Sequence, residues 1–194
     1  MTTYRIYTNP ASAVDFDVQQ IAGAQRTIDF AAYTLTEQNI IQALYSAAHR
    51  GVAIRLYMDR SEITAEAKHD DTGTMLPIHP LIGAPNVTIK VKHSIILMHL
   101  KSYLVDGVTL RSGSANWSPL GECQQDNEAS WESDPALATE FAQKFESMWN
   151  RTDNLTVAQA VDLNAAQQVV STHQNAHAAT TPGFPGFATK NASK

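Results

Sequence analysis

Cysteine and charge are both scarce in this sequence. The chain of 194 residues has one cysteine, Cys123, so neither an intramolecular disulfide nor a multi-cysteine zinc site can form within it. Charged residues make up 17% of the chain, and the formal net charge of -5 argues against a protein that its overall charge holds on nucleic acid. Any binding of a polyanion must therefore depend on a local group of cations.

Long apolar runs are also missing. No segment approaches the roughly 18 consecutive apolar residues that a membrane-spanning helix needs, so we expect no stable membrane insertion. The first ten residues, MTTYRIYTNP, do not have the basic stretch and apolar stretch of a signal peptide. We expect a periplasmic or secreted protein if a signal peptide was removed and a cytoplasmic one otherwise, and the sequence leaves this choice open.

Short β-branched and aromatic segments alternate with helical patterns in the first 150 residues. Apolar residues at helical spacing predict helices over Phe16–Ala24, Glu37–Arg50 and Pro135–Trp149, with Thr36 as N-cap and Gly51 as stop signal of the second. Six segments are predicted to be strands: Tyr4–Thr8, Thr27–Tyr33, Val52–Met58, Val87–Val91, Ser102–Val105 and Val108–Ser112. This alternation predicts an α/β sheet, and the 43% hydrophobic content is enough for a single domain.

Two regions lack such patterns. Glycine and proline punctuate residues 60–85, which predicts a long connection that could flank a substrate groove. It contains the run Lys68–Asp71, which we interpret as a solvated loop and not as a metal site. From residue 166 onward, small and polar residues dominate, so we predict a domain over residues 1–152 and a largely flexible extension over 153–194. The alternative for its end is an arm that packs on a partner subunit through Phe184 and Phe187.

The stretch MHLKSYLVDGVTLRSGSANW contains the most informative pattern in the chain. His99, Lys101 and Asp106 fit H-x-K-x4-D, and the segment Gly113–Asn116 follows after six intervening residues. Residues two apart in a strand point to the same face, so the imidazole and the ammonium can share one ligand. The Gly-Ser-x-Asn step offers a hydroxyl, an amide and closely approaching backbone, which suit the oxygens of a phosphate.

Together with the acidic Glu128 downstream, this pattern resembles the phospholipase D superfamily, in particular its small single-motif bacterial endonucleases, over roughly residues 4–150. The resemblance implies a mixed central sheet with helices on both faces. It also implies a phosphodiesterase that needs no metal or other cofactor. One departure is Leu100, where relatives often have a polar residue; its side chain should point to the opposite face from His99 and pack in the core.

The resemblance also implies a role for each motif residue. One histidine attacks phosphorus to form a phosphohistidine, and a second protonates the leaving oxygen and then activates water. Lys101 and Asn116 hold the nonbridging oxygens, Ser114 can add a donor, and Glu128 orients a site histidine. Asp106 belongs to the motif, although in this family it is more often a structural partner than a direct participant.

The chain has only one such motif. None of its other histidines has a lysine two residues later: His49, His69, His79, His93, His173 and His177. We therefore expect a homodimer in which His99 meets its symmetry mate across a two-fold axis, so that the active site lies at the interface.

Residues 86–120 contain four cations (Lys90, Lys92, Lys101 and Arg111) against one carboxylate, a net charge of +3. This local charge favours a nonspecific endonuclease that binds DNA, or RNA, through its phosphates, with Lys90, Lys92 and Arg111 as substrate-binding residues beside the motif. A phospholipase that hydrolyses cardiolipin-like lipids is the alternative, and is disfavoured because no anchor helix is visible. A noncatalytic nucleic-acid-binding module is a third possibility, against which the complete motif argues.

Overall fold

The computed structural model describes residues 2–63 and 76–167 and shows one seven-stranded mixed sheet. Its strands are β1 (Thr3–Tyr7), β2 (Thr27–Ala32), β3 (Ala53–Met58), β4 (Val87–Val91), β5 (Lys101–Val105), β6 (Thr109–Gly113) and β7 (Glu128–Glu132). Its helices are α1 (Val14–Gly23), α2 (Gln38–His49), α3 (Pro119–Cys123) and α4 (Pro135–Trp149), with a 3-10 turn over His79–Leu81. The expected α/β fold with a mixed sheet is confirmed.

The strand order β1-β7-β6-β5-β2-β3-β4 divides the sheet into two halves. Strands β2, β3 and β4 are parallel, as expected for strands joined through a helix such as α2. Strand β5 pairs antiparallel with β2, and β6, β7 and β1 continue the antiparallel half. The carboxyl end of β2 therefore lies beside the start of β5.

Apolar side chains cover both faces of the sheet. On one face α1 and α2 bury residues such as Ile21, Ile41 and Leu44 against Ile28 and Ile54. On the other, α4 packs its apolar side against the sheet, including the buried residues Phe141, Phe145 and Trp149. Leu100 is partly buried against this second cluster, as its place in the strand alternation predicts. Helices thus lie on both faces, as expected.

The predicted elements agree with the structure to within one or two residues at their ends. Helix α3 and the helical residues 157–167 were not predicted. Strand β7 was not predicted, although Ala129 and Trp131 alternate with polar residues there. The N-cap of α2 is Glu37 and not Thr36, because the Glu37 carboxylate accepts a hydrogen bond from the backbone N–H of Asn39 at 3.2 Å. Gly51 ends the helix with a φ of 100°, which a glycine adopts without strain.

The first part of the C-terminal extension packs on the sheet. Leu155 exchanges two backbone hydrogen bonds with Val91, and residues 157–167 are helical, with Ala160 fully buried. The Asn164 side chain donates to the carbonyl of Arg60 at 3.0 Å. The predicted arm and residues 168–194 lie outside the described residues, as does the run Lys68–Asp71. No helix in the described part of the chain is long and apolar enough to cross a membrane.

Candidate active site

His99, Lys101 and the Gly113–Asn116 turn meet at one edge of the sheet, where the end of β2, the start of β5 and the end of β6 lie together. The pairing of Ala32 with Lys101 brings the end of β2 to the start of β5. Strand β6 runs back to the same edge and ends at Gly113, which pairs with Ala129 near the start of β7. The strand order therefore gathers segments that are far apart in sequence.

His99 and Lys101 share the ring of Tyr33, the residue that follows β2. The His99 and Tyr33 ring centroids are 4.5 Å apart with the rings edge to face, and the Lys101 ammonium lies 4.6 Å from the Tyr33 centroid. His99 is exposed whereas Lys101 is buried. The imidazole, which is the candidate nucleophile, is therefore accessible to solvent, and the ammonium is not. Tyr33 was not among the predicted site residues, because nothing in its local sequence indicates this contact.

Asp59 and Lys92 hold the segment that leads to His99. The Asp59 carboxylate, which is buried after the end of β3, accepts a hydrogen bond from the backbone N–H of Met98 at 2.6 Å. The Lys92 ammonium donates to the carbonyls of Ile96 and Leu97. These contacts fix the backbone immediately before His99, and sequence analysis did not predict the role of Asp59.

Burial lowers the pKa of Lys101 to about 8. Desolvation disfavours the charged ammonium, and the nearby Arg111 lowers the pKa further, whereas the carboxylates of Glu62 and Asp59 raise it. A lysine in this state is mostly charged below pH 8. It can therefore hold an anionic ligand such as a phosphate oxygen.

The Gly113–Asn116 turn is tied closely to β7. A Cβ atom on Gly113 would lie 2.2 Å from the carbonyl oxygen of Glu128, so only glycine fits. The Ser114 hydroxyl donates to Asn127 at 3.1 Å and accepts from the backbone N–H of Glu128 at 3.0 Å. The side-chain oxygen of Asn116 is buried and has no hydrogen-bond partner among the described residues. An unsatisfied buried group costs about 1–3 kcal/mol and is typical of a functional position.

The Glu128 carboxylate lies 3.6 Å from the guanidinium Nε of Arg5, and both side chains are substantially exposed. No contact between Glu128 and His99 occurs within the described part of one chain. The role of Glu128 as the acceptor that orients a site histidine stays a prediction. That histidine would have to belong to a partner subunit.

The three cations expected to bind substrate beside the motif have other partners. The Lys90 ammonium donates to the carbonyl of Trp149 at 2.8 Å, at the end of α4, and Lys92 holds the loop before His99. Arg111 is completely buried between Asp17 and Glu122. These cations are thus largely engaged within the fold, and the complete burial of Arg111 contradicts the expectation that it binds the substrate directly.

Asp106 lies at the far end of β5, about 16 Å along the strand from Lys101. Its carboxylate accepts hydrogen bonds from the backbone N–H groups of Gln25, Arg26 and Thr27 at 2.7 to 2.9 Å. The structure thus separates Asp106 from the other motif residues, which favours its structural role over a catalytic one.

No three His, Cys, Asp or Glu side chains within residues 2–63 and 76–167 are grouped as a metal site would require. The groups that the sheet edge offers to a ligand are an imidazole, an ammonium and an amide. These groups suit the nucleophilic displacement of a phosphodiester.

Residues 18–149 match the family described as "Cardiolipin synthase, PLD-like domain". The chain belongs to this family of phospholipase D-like proteins. It is 22% identical over 144 residues to the mitochondrial cardiolipin hydrolase of Chlamydomonas reinhardtii, which covers 74% of this chain and 60% of that protein. The corresponding protein of Drosophila melanogaster is 28% identical over 152 residues, covering 68% and 56%. The chain thus spans about 60% of the length of these relatives.

Two solved structures have the same fold. The phospholipase D family member Nuc from Salmonella typhimurium superposes with a TM-score of 0.68 at 24% identity, covering 79% of this chain and 97% of that one. NucT from Helicobacter pylori gives a TM-score of 0.66 at 18% identity, covering 76% and 95%. The α/β fold of the whole domain is therefore that of the phospholipase D superfamily.

Proposed function

We propose that this chain hydrolyses phosphodiesters through a phosphohistidine on His99, in a homodimer whose two-fold axis brings both copies of His99 to one site. The observation that carries the proposal is the meeting of the exposed His99 with the buried Lys101 at the sheet edge beside the Gly113–Asn116 turn. A single motif per chain supplies one nucleophile, so the second histidine has to come from the partner.

The reaction would proceed in two displacements. The His99 imidazole attacks phosphorus, an N–P bond forms, and the P–O bond to the leaving group breaks as the partner's His99 donates a proton to that oxygen. The same histidine then removes a proton from water, which attacks phosphorus and breaks the N–P bond. Lys101 and Asn116 offset the negative charge that develops on the nonbridging oxygens.

Nucleic acid is the substrate that we place first. His99 and Ser114 are exposed at an open edge of the sheet. A long nucleic-acid strand can reach this edge directly, whereas a phospholipid would first have to leave its bilayer. Because Lys90, Lys92 and Arg111 are engaged within the fold, binding would depend on Lys101 and on few phosphate contacts. We therefore expect weak, sequence-independent binding with a shallow dependence on salt.

A phospholipid is the second candidate, and one feature of the site favours it. Ile95, Ile96 and Leu97, immediately before Met98 and His99, are 80%, 74% and 49% exposed. Three adjacent exposed apolar side chains beside an active site are suited to contact acyl chains at a lipid surface. The names of the cardiolipin hydrolases to which the chain is similar agree with this candidate.

One experiment separates the two candidates. Plasmid DNA, single-stranded DNA, RNA and cardiolipin-containing vesicles are incubated with the protein in excess EDTA, with His99→Ala purified in parallel to reveal contaminating enzymes. Cleavage of nucleic acid that survives EDTA and is absent from the variant supports the first candidate, and release of lipid product alone supports the second. Binding without hydrolysis of any substrate would contradict the proposed reaction and favour a noncatalytic module.

The apolar segment Ile95–Leu97 gives a second test. The double variant Ile95→Ser/Ile96→Ser should bind and hydrolyse vesicles at least several-fold less well if lipid is the substrate, while its cleavage of DNA is unchanged. Val108→Ser is the matched control, because Val108 is 56% exposed but lies at the β5–β6 turn, at the opposite end of the strand from the site.

A further inference from the structure

Arg111 occupies the centre of a buried polar cluster directly behind the active site. Its side chain has no solvent exposure and lies 3.1 Å from Glu122 and 3.6 Å from Asp17, two carboxylates that are themselves fully buried. The guanidinium carbon is also 4.4 Å from the centroid of Trp117. Burying three ionisable groups is costly, and replacing them by apolar residues is often neutral or stabilising in other proteins. Stability alone therefore gives a poor reason for an arginine at this position.

The other end of the guanidinium contacts the active-site backbone. Arg111 Nη1 donates to the carbonyl of Lys101 at 2.9 Å and to the carbonyl of Ala115 at 3.0 Å. Lys101 is the first residue of β5, and Ala115 precedes Asn116 in the turn after β6. One rigid group thus joins the two chain segments whose side chains would hold the phosphate oxygens.

The remaining contacts of the cluster hold the guanidinium in place. Asp17 accepts hydrogen bonds from Tyr103 at 2.7 Å and from the indole N–H groups of Trp117 and Trp131, both at 3.0 Å. The anion that faces Arg111 is thereby fixed by three side chains from different elements. The planar fork of an arginine transmits this fixed geometry to both carbonyls, which the single point charge of a lysine cannot reproduce.

We propose that Arg111 is a positioning residue of the active site, which ties the backbone of Lys101 to the turn that bears Asn116 and so sets the spacing of the two groups that hold phosphate. This inference goes beyond the proposed function and rests on it for its kinetic consequence. Arg111 does not touch the substrate; it acts through Lys101 and Asn116. This positioning role replaces the direct binding of substrate that the sequence predicted for Arg111.

A second consequence concerns the charge of Lys101. The Arg111 guanidinium is one of the groups that lower the pKa of Lys101, after burial itself, whereas Glu62 and Asp59 raise it. Tyr33, whose ring Lys101 also faces, has a raised pKa owing to its own burial and to Glu62. Removal of the Arg111 charge should therefore raise the pKa of Lys101, which a purely structural role for Arg111 would not require.

The test compares Arg111→Met, which removes both charge and donors, with Arg111→Lys, which keeps the charge. We expect R111M to lose kcat on the order of 100-fold, because small misplacements of phosphate-binding groups mainly affect the transition state, with KM within a few-fold of the native value. The pKa of Lys101, followed by NMR of 13C-labelled lysine side chains and assigned with Lys101→Arg, should rise. R111K should keep the native pKa and recover part of kcat.

The control is Arg55→Met. Arg55 pairs with Asp29 and Glu146, both at 2.7 Å, and lies against Phe145, so its loss removes comparable ion pairs without touching the site. R55M should lower the melting temperature while kcat and the Lys101 pKa stay native. All assays are made well below the melting temperature of each variant. If R111M does not fold, Asp17→Asn/Arg111→Met, in which the buried charge is balanced, takes its place in the same comparison.

Native kcat together with a native Lys101 pKa in the folded variant would overturn the inference. A loss of kcat that R55M shows to the same extent would overturn it as well, because the effect would then follow from stability. If the native protein hydrolyses no phosphodiester, the proposed function fails instead, and the NMR titration still decides whether Arg111 controls Lys101.

Discussion

Lys101 combines charge with burial at the candidate site, and this combination predicts how activity depends on pH. Its pKa of about 8 means that the ammonium is present below pH 8 and lost above it. If Lys101 holds a phosphate oxygen, kcat/KM should fall about tenfold per pH unit above pH 8, since only the charged form contributes. Measurement of kcat/KM between pH 6 and 10 tests this prediction.

The variant Lys101→Arg identifies the group that titrates. A guanidinium stays charged throughout this range, so the residual activity of K101R should no longer fall above pH 8. A decline that persists unchanged in K101R would assign the titration to another group and remove the basis of the prediction.

Asp106 belongs to the sequence motif, yet its contacts predict an effect on stability and not on chemistry. Its carboxylate binds three consecutive backbone N–H groups at the start of β2, and its φ of 54° is tolerated better by Asp or Asn than by Ala. Asp106→Ala should lower the free energy of unfolding by about 1–2 kcal/mol. Chemical denaturation measures this loss, and kcat at a temperature where the variant is folded should be native. A large loss of kcat in the folded D106A would contradict the structural role.

Among the secondary-structure elements, the junction of β6 and β7 depends on a single glycine. In Gly113→Ala the added methyl group would overlap the carbonyl oxygen of Glu128, and the φ of 142° would be strained for any other residue. The turn that bears Ser114 and Asn116 would have to move, so we expect both a lower melting temperature and a loss of activity of at least tenfold.

Gly23→Ala is the control for this substitution. Gly23 ends α1, and a Cβ atom there would meet no atom within 4 Å apart from its chain neighbours and the backbone of its own helix. Alanine is favoured over glycine in a helix, so G23A should be as stable as the native protein or slightly more so, with unchanged activity. Equal behaviour of G113A and G23A would show that the close approach at Gly113 is not needed.

The sequence patterns predicted most elements because each one shows its own periodicity. The strand pairing at β7 was missed, since Glu128–Glu132 is short, contains small residues and is recognisable only beside β6 and β1. The site residues likewise divide into those that a local pattern predicts and those that only the strand pairing brings together. His99, Lys101 and Asn116 are predicted by a local motif, whereas Tyr33 and Asp59 reach them only through the order of strands in the sheet. Long-range pairing is the part that a local pattern cannot encode.

For the molecule as a whole, the buried cluster behind the site predicts how stability varies with pH. One guanidinium faces two buried carboxylates; desolvation and the charge of Asp17 raise the pKa of Glu122 to about 8, from an ordinary value of 4.5. Burial also raises the pKa of Asp17. The folded protein therefore keeps a proton that the unfolded chain releases above pH 4.5, so stability should fall as the pH rises from about 4.5 to 8.

The variant Glu122→Gln tests this dependence, because an amide mimics the protonated acid and does not titrate. Its melting temperature should change less between pH 5 and 8 than that of the native protein, and the two should be most similar near pH 5. Glu140→Gln, at an exposed position on α4, is the control and should leave the native pH dependence unchanged. An identical slope in E122Q and the native protein would place the buried proton elsewhere.

The largest consequence of the single motif is that activity should depend on pairs of chains. In a composite site that needs His99 from both subunits, a dimer with one His99→Ala chain is inactive. When native and H99A chains are mixed in equal amounts and allowed to exchange, about a quarter of the dimers have two native chains, so activity should fall to about a quarter of that of the unmixed native protein at the same total concentration. Independent subunits would instead retain about half, because each native chain would remain fully active. A titration over several mixing ratios separates a quadratic from a linear dependence of activity on the fraction of native chains. A linear result would require that a second histidine of the same chain completes the site. The other histidines all lack a lysine two residues later: His49, His69, His79, His93, His173 and His177.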